Sequence, residues 1–129
     1  MRYVTTSVDA WSATPSASMD ERDRAALDAM LRAARQAMAW TKEGGPSWTE
    51  DAKTVAAVAH MLAQVGEAAR RVSSGTKSKQ IDVRWTQIAG MRNRIYHDYD
   101  ALDLRVLAAT VSRDLPELVR ALDVMLGRR

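Results

Sequence analysis

Between Val55 and Val72 the apolar residues Val55, Val58, Leu62, Val65, Ala69 and Val72 recur at alternating steps of three and four. That spacing returns to one side of an α-helix, whereas a strand repeats every two residues and scatters such a set over both faces. A helix with a seam of this kind has to lie lengthwise against a neighbour. The preceding segment supplies a matching stripe in Leu27, Met30, Leu31, Ala34 and Met38.

Punctuation between the stripes sets the expected boundaries. "SMDE" (Ser18 to Glu21) is a capping box, with a hydroxyl and a carboxylate placed to satisfy the first free backbone donors. The helix it opens is expected to run to about Glu43 and stop at "GGP" (Gly44 to Pro46). A second box, "SWTE" (Ser47 to Glu50), is expected to start the next helix, which "SSG" closes at Gly75. "TKSKQ" reads as a basic loop, and a shorter helix is expected over about Val83 to Ile95. A last helical region begins near Leu102, capped by Asp100 or Asp103. Pro116 lacks an amide hydrogen, so a kink or break is expected near Asp114 before Leu118, Leu122 and Met125 resume the apolar face. The fold class is all-α, an antiparallel bundle of four to five helices over residues 18–129. Residues 1–17, rich in Ser, Thr and Ala and without periodicity, are expected to form a flexible N-terminal arm.

Composition narrows the chemistry. There is no cysteine, which excludes disulfides, thiol nucleophiles and thiolate metal centres. No apolar run approaches the roughly 20 residues of a membrane helix, so no membrane association is expected. The first residues lack the apolar core of a secretory signal, and a cytoplasmic protein is expected. The formal net charge is +3, yet residues 70–94 hold seven basic side chains against Asp82 alone. That segment carries +6 and leaves −3 for the remainder, a concentration that suits an anionic partner.

The same basic region runs into "GMRNRIYHDYD" (Gly90 to Asp100). Histidine titrates near neutrality, so His97 can take a proton from a hydroxyl or give one to a leaving oxygen. Arg92 offers a permanent charge and a planar fork of donors for a phosphate. Asn93 adds a neutral donor and acceptor, and Tyr99 can bond a phosphate or stack on a base. Arg92 and His97 are five positions apart, about 140° on an ideal helix. Either the helix ends before His97, or a second copy completes the pair. No metal-ligand spacing stands out, so the expected chemistry uses no metal and no cofactor. His60 lies away from the seam and is expected to be an exposed bystander. Trp85 is expected to pack, and Tyr96 to pack or touch substrate.

"RNRIYHDY" (Arg92 to Tyr99) resembles the Arg, four residues, His, any residue, Tyr signature of HEPN-domain proteins of the HepT-like toxin family. The likeness extends to "VGEAARRVS" (Val65 to Ser73), "VRWTQIAGMRNRIYH" (Val83 to His97) and "DLPEL" (Asp114 to Leu118), over about residues 20–126. In two places the pattern differs, with Asp100 after the tyrosine and "IDVRW" before the tryptophan. The resemblance implies a homodimeric helical bundle with the motif near a cleft between subunits. It implies a metal-independent endoribonuclease, the toxin of a toxin–antitoxin pair. The implied partner is a minimal nucleotidyltransferase antitoxin that transfers AMP to the motif's tyrosine. Arg92 would neutralise the scissile phosphate and His97 act as acid and base. Asn93 would support them, Tyr99 would be the modified residue, and Glu67 would lie behind the motif. The alternative is a non-catalytic helical module that docks the nucleotidyltransferase, favoured by the negative charges of Asp98 and Asp100 beside the site.

Overall fold

The computed structural model describes residues 19–96 and 101–128, and every extended element among them is helical. The arm 1–17, Ser18, His97, Asp98, Tyr99 and Asp100 lie outside the described residues. Two long helices dominate, α1 (Glu21–Gly44) and α2 (Ala52–Arg70). Three short ones follow: α3 (Ser74–Lys77), α4 (Trp85–Ala89) and α5 (Met91–Ile95). The chain then forms α6 (Leu104–Ala109), one π turn (Thr110–Asp114) and α7 (Leu115–Met125). No helix among the described residues is long and apolar enough to cross a membrane.

The seam is buried as its spacing requires. Val58, Leu62, Val65 and Ala69 are fully enclosed and Val72 nearly so, while Val55 sits half-buried at the end. Leu27, Met30, Leu31 and Ala34 of α1 meet them in one core. Each large aliphatic removed from water there contributes roughly 1.5–3 kcal/mol. Leu118, Leu122 and Met125 close the core from α7. Polar pairs fix the directions. Asp23, at the start of α1, binds Ser73, just beyond the end of α2, so those helices run antiparallel. Arg35 binds Asp123 at 2.7 Å and Arg128 binds Asp28 at 2.8 Å, which sets α7 antiparallel to α1.

Several boundaries differ from the expected ones. The first helix starts at Glu21, where the Asp20 carboxylate accepts the Arg22 N–H at 2.8 Å and takes the place expected of Ser18. Ser47 opens only a 3-10 turn (Trp48–Glu50) and makes no side-chain cap. The second helix is capped four residues later by Asp51, which accepts from the Lys53 N–H at 3.2 Å and from the Thr54 hydroxyl at 2.8 Å. In both cases a carboxylate, drawn to the positive helix terminus, caps where a hydroxyl was expected. Gly45 ends α1 as "GGP" requires, with a positive φ of 79°. "SSG" does not close α2, which ends earlier at Arg70; Ser73 instead caps α3, which takes in Thr76 and Lys77 of the expected loop. The expected helix over Val83–Ile95 is two five-residue pieces, because Gly90 leaves the helical region (φ −90°, ψ 18°). Asp103, one of the two caps offered, opens α6 by accepting from Arg105 and Val106. Near Pro116 the chain does not break. The Leu115 N–H reaches back five residues to the Thr110 carbonyl, and this wider turn feeds Pro116 into the first turn of α7, where its missing N–H costs nothing.

Gly66 decides how α4 and α5 sit on α2. A Cβ there would lie 2.8 Å from the Ile88 carbonyl oxygen and 3.1 Å from Met91 Cβ. The obstacle is backbone, which cannot step aside as a side chain can. Gly66→Val is expected to cost about 1–3 kcal/mol through overpacking, read as a lower denaturant midpoint. An unchanged midpoint would show that this crossing yields easily.

Candidate active site

The site is built from α5 outward. Met91 and Ile95, four residues apart, are both buried and fix the rotation of this short helix. Arg92, Asn93 and Arg94 between them are therefore turned to solvent, and all three are exposed. The guanidinium of Arg92 lies over the ring of Tyr96, 5.1 Å from its centroid. Tyr96 is half-buried against the core, so one residue both packs and carries the arginine. Their i, i+4 spacing was the available signal for this pair.

At Tyr96 the helix ends in extended backbone (φ −112°, ψ 128°). Of the two alternatives for the Arg92–His97 spacing, the helix does end before His97. Tyr96 forms an isolated antiparallel bridge with Leu102, and the Asp103 N–H donates to the Ile95 carbonyl at 2.7 Å. The segment between is thus clipped at its base. His97 and Tyr99 belong to that segment and lie outside the described residues, so of the four expected site residues only Arg92 and Asn93 are placed. Asp103, the third acid of the "HDYDALD" stretch, is committed to the α6 cap.

Neighbouring charges are distributed in an unexpected way. Arg94 faces Asp114 at 4.0 Å, an exposed pair of small worth. A cleft of about 550 Å³ lies between α4–α5 and α7 and not over Arg92. Its rim mixes Arg84, Arg94 and Arg113 with Asp82, Asp114 and Glu117 above an apolar floor. Glu67, expected behind the motif, is exposed and paired with Arg70 at 3.7 Å on α2. The residue of that stretch that meets α4 and α5 is instead its neighbour Gly66. His60 is exposed beside Gln64, and Trp85 is buried with its indole N–H donating to the Gln80 carbonyl at 3.1 Å, both as expected. Among the described residues no three of His, Cys, Asp and Glu converge as a metal-binding group.

One polar centre was missed altogether. Asp23 is almost fully buried and accepts the Ser73 N–H at 2.9 Å together with the hydroxyls of Ser73 and Thr76. Burial alone would raise its pKa. The hydrogen bonds from Ser73 and Thr76, helped by the charge of Arg22, outweigh that and hold the carboxyl below its ordinary value. The signal was present: Asp23 falls at i, i+4, i+7 with Leu27 and Met30, an acid in core register.

Residues 22–125 match the family described as "Ribonuclease HepT-like". A protein of Thermococcus cleftensis named "Probable ribonuclease HepT" is 37% identical over 68 residues, 53% of this chain and 62% of the relative. One from Caldanaerobacter subterraneus subsp. tengcongensis, named "Putative RNase", is 28% identical over 79 residues, 61% of this chain and 70% of the relative. A third, from Methanocaldococcus jannaschii and of the same description, is 29% identical over 69 residues, covering 54% and 63%. The chain thus spans about two thirds or less of the length of the first and third of these relatives. No solved structure matches it. With four-fifths of its length inside the family match, including the helix that displays Arg92, the chain belongs to the HepT-like ribonuclease family.

Proposed function

We propose that this chain is a metal-independent endoribonuclease and the toxin half of a toxin–antitoxin pair, acting as a homodimer in the cytoplasm. A ribose 2′-OH attacks the adjacent phosphorus, and the bond from phosphorus to the 5′ oxygen breaks. One product ends in a 2′,3′-cyclic phosphate and the other in a 5′-OH. His97 accepts the proton of the 2′-OH or supplies one to the leaving 5′ oxygen, and two copies in a dimer divide those roles. Arg92 neutralises the charge that builds on the phosphate oxygens, and Asn93 supports it. DNA lacks the attacking hydroxyl and is inert.

The observation that supports this most is the display of Arg92. It is exposed, held on the ring of Tyr96, and Tyr96 in turn pairs with Leu102 at the base of the segment whose sequence contains His97. In the same proposal a nucleotidyltransferase antitoxin adds AMP to Tyr99, bringing bulk and negative charge to where the RNA phosphate must sit. The purified chain, given RNA and single-stranded DNA in the presence of a chelator, should cut only RNA and leave cyclic phosphate ends. Co-production with a nucleotidyltransferase should add whole AMP masses to the intact protein and none to Tyr99→Phe. Cleavage of both nucleic acids, or only when a metal is supplied, would refute the mechanism.

The second reading is a non-catalytic module that docks the nucleotidyltransferase and presents Tyr99. Asp98 and Asp100, which flank that tyrosine and repel an approaching phosphate, favour it. It expects AMP addition with no RNA cleavage.

A further inference from the structure

The basic segment is only partly used by the site. Arg92 and Arg94 stand on α5, but Lys77 and Arg84 border a separate shallow groove of about 540 Å³ formed by α3, the following loop and the start of α4. Its polar lining is Lys77 and Arg84 with Ser74, Ser78, Thr86 and Gln87, and none of the residues lining it is acidic. Asp82, the one acid in this stretch, lines the neighbouring cleft instead. Val83 and Trp85 form the floor, and the Trp85 indole N–H is already spent on Gln80. At the rim Ile81 is 82% exposed, the most exposed large hydrophobic among the described residues.

One side of the groove, α3, is anchored to the core. The buried Asp23 carboxylate binds both Ser73, the cap of α3, and Thr76, inside it. Arg84 and Gln87 line this groove and the neighbouring cleft together, and Arg94 of α5 also lines that cleft. Arg84 thus stands where the cleft bordered by Arg94 meets the groove.

We infer that this groove is a second RNA-binding surface, holding the sugar-phosphate backbone of single-stranded RNA away from the bond that is cut. Lys77 and Arg84 take phosphates, the Ser74 and Thr86 hydroxyls take sugar and phosphate oxygens, and Ile81 meets a base face. The inference rests on the endoribonuclease reading for its substrate class. An anionic lipid surface shares the charge, but a single exposed isoleucine offers it too little apolar area to insert.

The test uses the full chain, a long single-stranded RNA with 2′-O-methyl sugars that cannot be cut, and a cleavable dinucleotide. Lys77→Gln combined with Arg84→Gln is expected to weaken binding of the long RNA about tenfold or more. Loss of two phosphate contacts should also flatten the slope of log affinity against log salt by about 1.4. Cleavage of the dinucleotide, too short to reach the groove, should be unchanged. Ile81→Ser should weaken binding without altering the salt slope. Wild-type affinity and slope in the double variant would overturn the inference, as would loss of binding to phosphatidylserine vesicles with RNA binding intact. If the wild-type chain cuts nothing yet its RNA binding depends on Lys77 and Arg84, the groove stands and the catalytic proposal falls.

Discussion

Arg92→Ala is expected to lower RNA cleavage by about 10²–10³-fold, and His97→Ala by about 10²–10⁴-fold, with the helical content of both variants unchanged. Arg92 is exposed and contributes nothing to the core, so its loss removes a charge without a cavity. Arg92→Lys should recover little, because an ammonium is a point charge and cannot present two parallel donors to a phosphate. The Tyr96 ring beneath the guanidinium gives a graded control. Tyr96→Phe keeps the aromatic face and should cleave almost as wild type. Tyr96→Leu keeps apolar bulk but loses the platform. An exposed cation–π contact of about 0.5–1 kcal/mol converts to a loss of roughly two- to fivefold, carried by kcat. Initial rates on a defined RNA measure all five. Full activity in Arg92→Ala would move the chemistry elsewhere.

Asp23→Ala is expected to destabilise the fold by about 2–3 kcal/mol at neutral pH. The carboxylate is enclosed and answers one backbone and two hydroxyl donors, and alanine leaves the Ser73 N–H without its acceptor. The cost should depend on pH in a definite direction. The folded pKa lies below the unfolded value, so the charged form is favoured by folding. Its stabilisation is complete well above the unfolded carboxylate value of about 3.9 and is lost as pH falls through the folded one. Urea titrations of wild type and Asp23→Ala should therefore converge on acidification across that window and stay parallel above about pH 5. Curves that remain equally separated at low pH would mean that the hydroxyl contacts, not the charge, carry the effect. Because Asp23 anchors α3, the variant should also loosen RNA held at Lys77.

Helix-forming periodicity, the buried faces of α1, α2 and α7, and family membership were legible in the chain because each rests on repeated local spacing. Val58, Leu62 and Val65 recur on one face whatever they pack against, and the 92–99 motif is contiguous. The disturbance caused by Pro116 was legible too, since a missing N–H is a property of the residue itself. Its resolution was not: whether a chain breaks or widens into a π turn depends on what the flanking segments gain by staying packed.

Positions where neighbours compete for one role escaped sequence reading. Caps were expected at Ser18 and Ser47, whereas the carboxylates of Asp20 and Asp51 answer the first free amides of the packed helices. Gly66 and Asp23 gained their importance from partners 22 and 50 residues away, Ile88 and Ser73. The sequence by itself determined that this protein is helical, which faces are buried and to which family it belongs. Only the tertiary structure decided that Arg92 stands on a solvent face over Tyr96 and that the basic residues split between α5 and a separate groove. Local spacing acts within a turn or two of helix, whereas the direction of a side chain in space is set by what the whole core leaves uncovered.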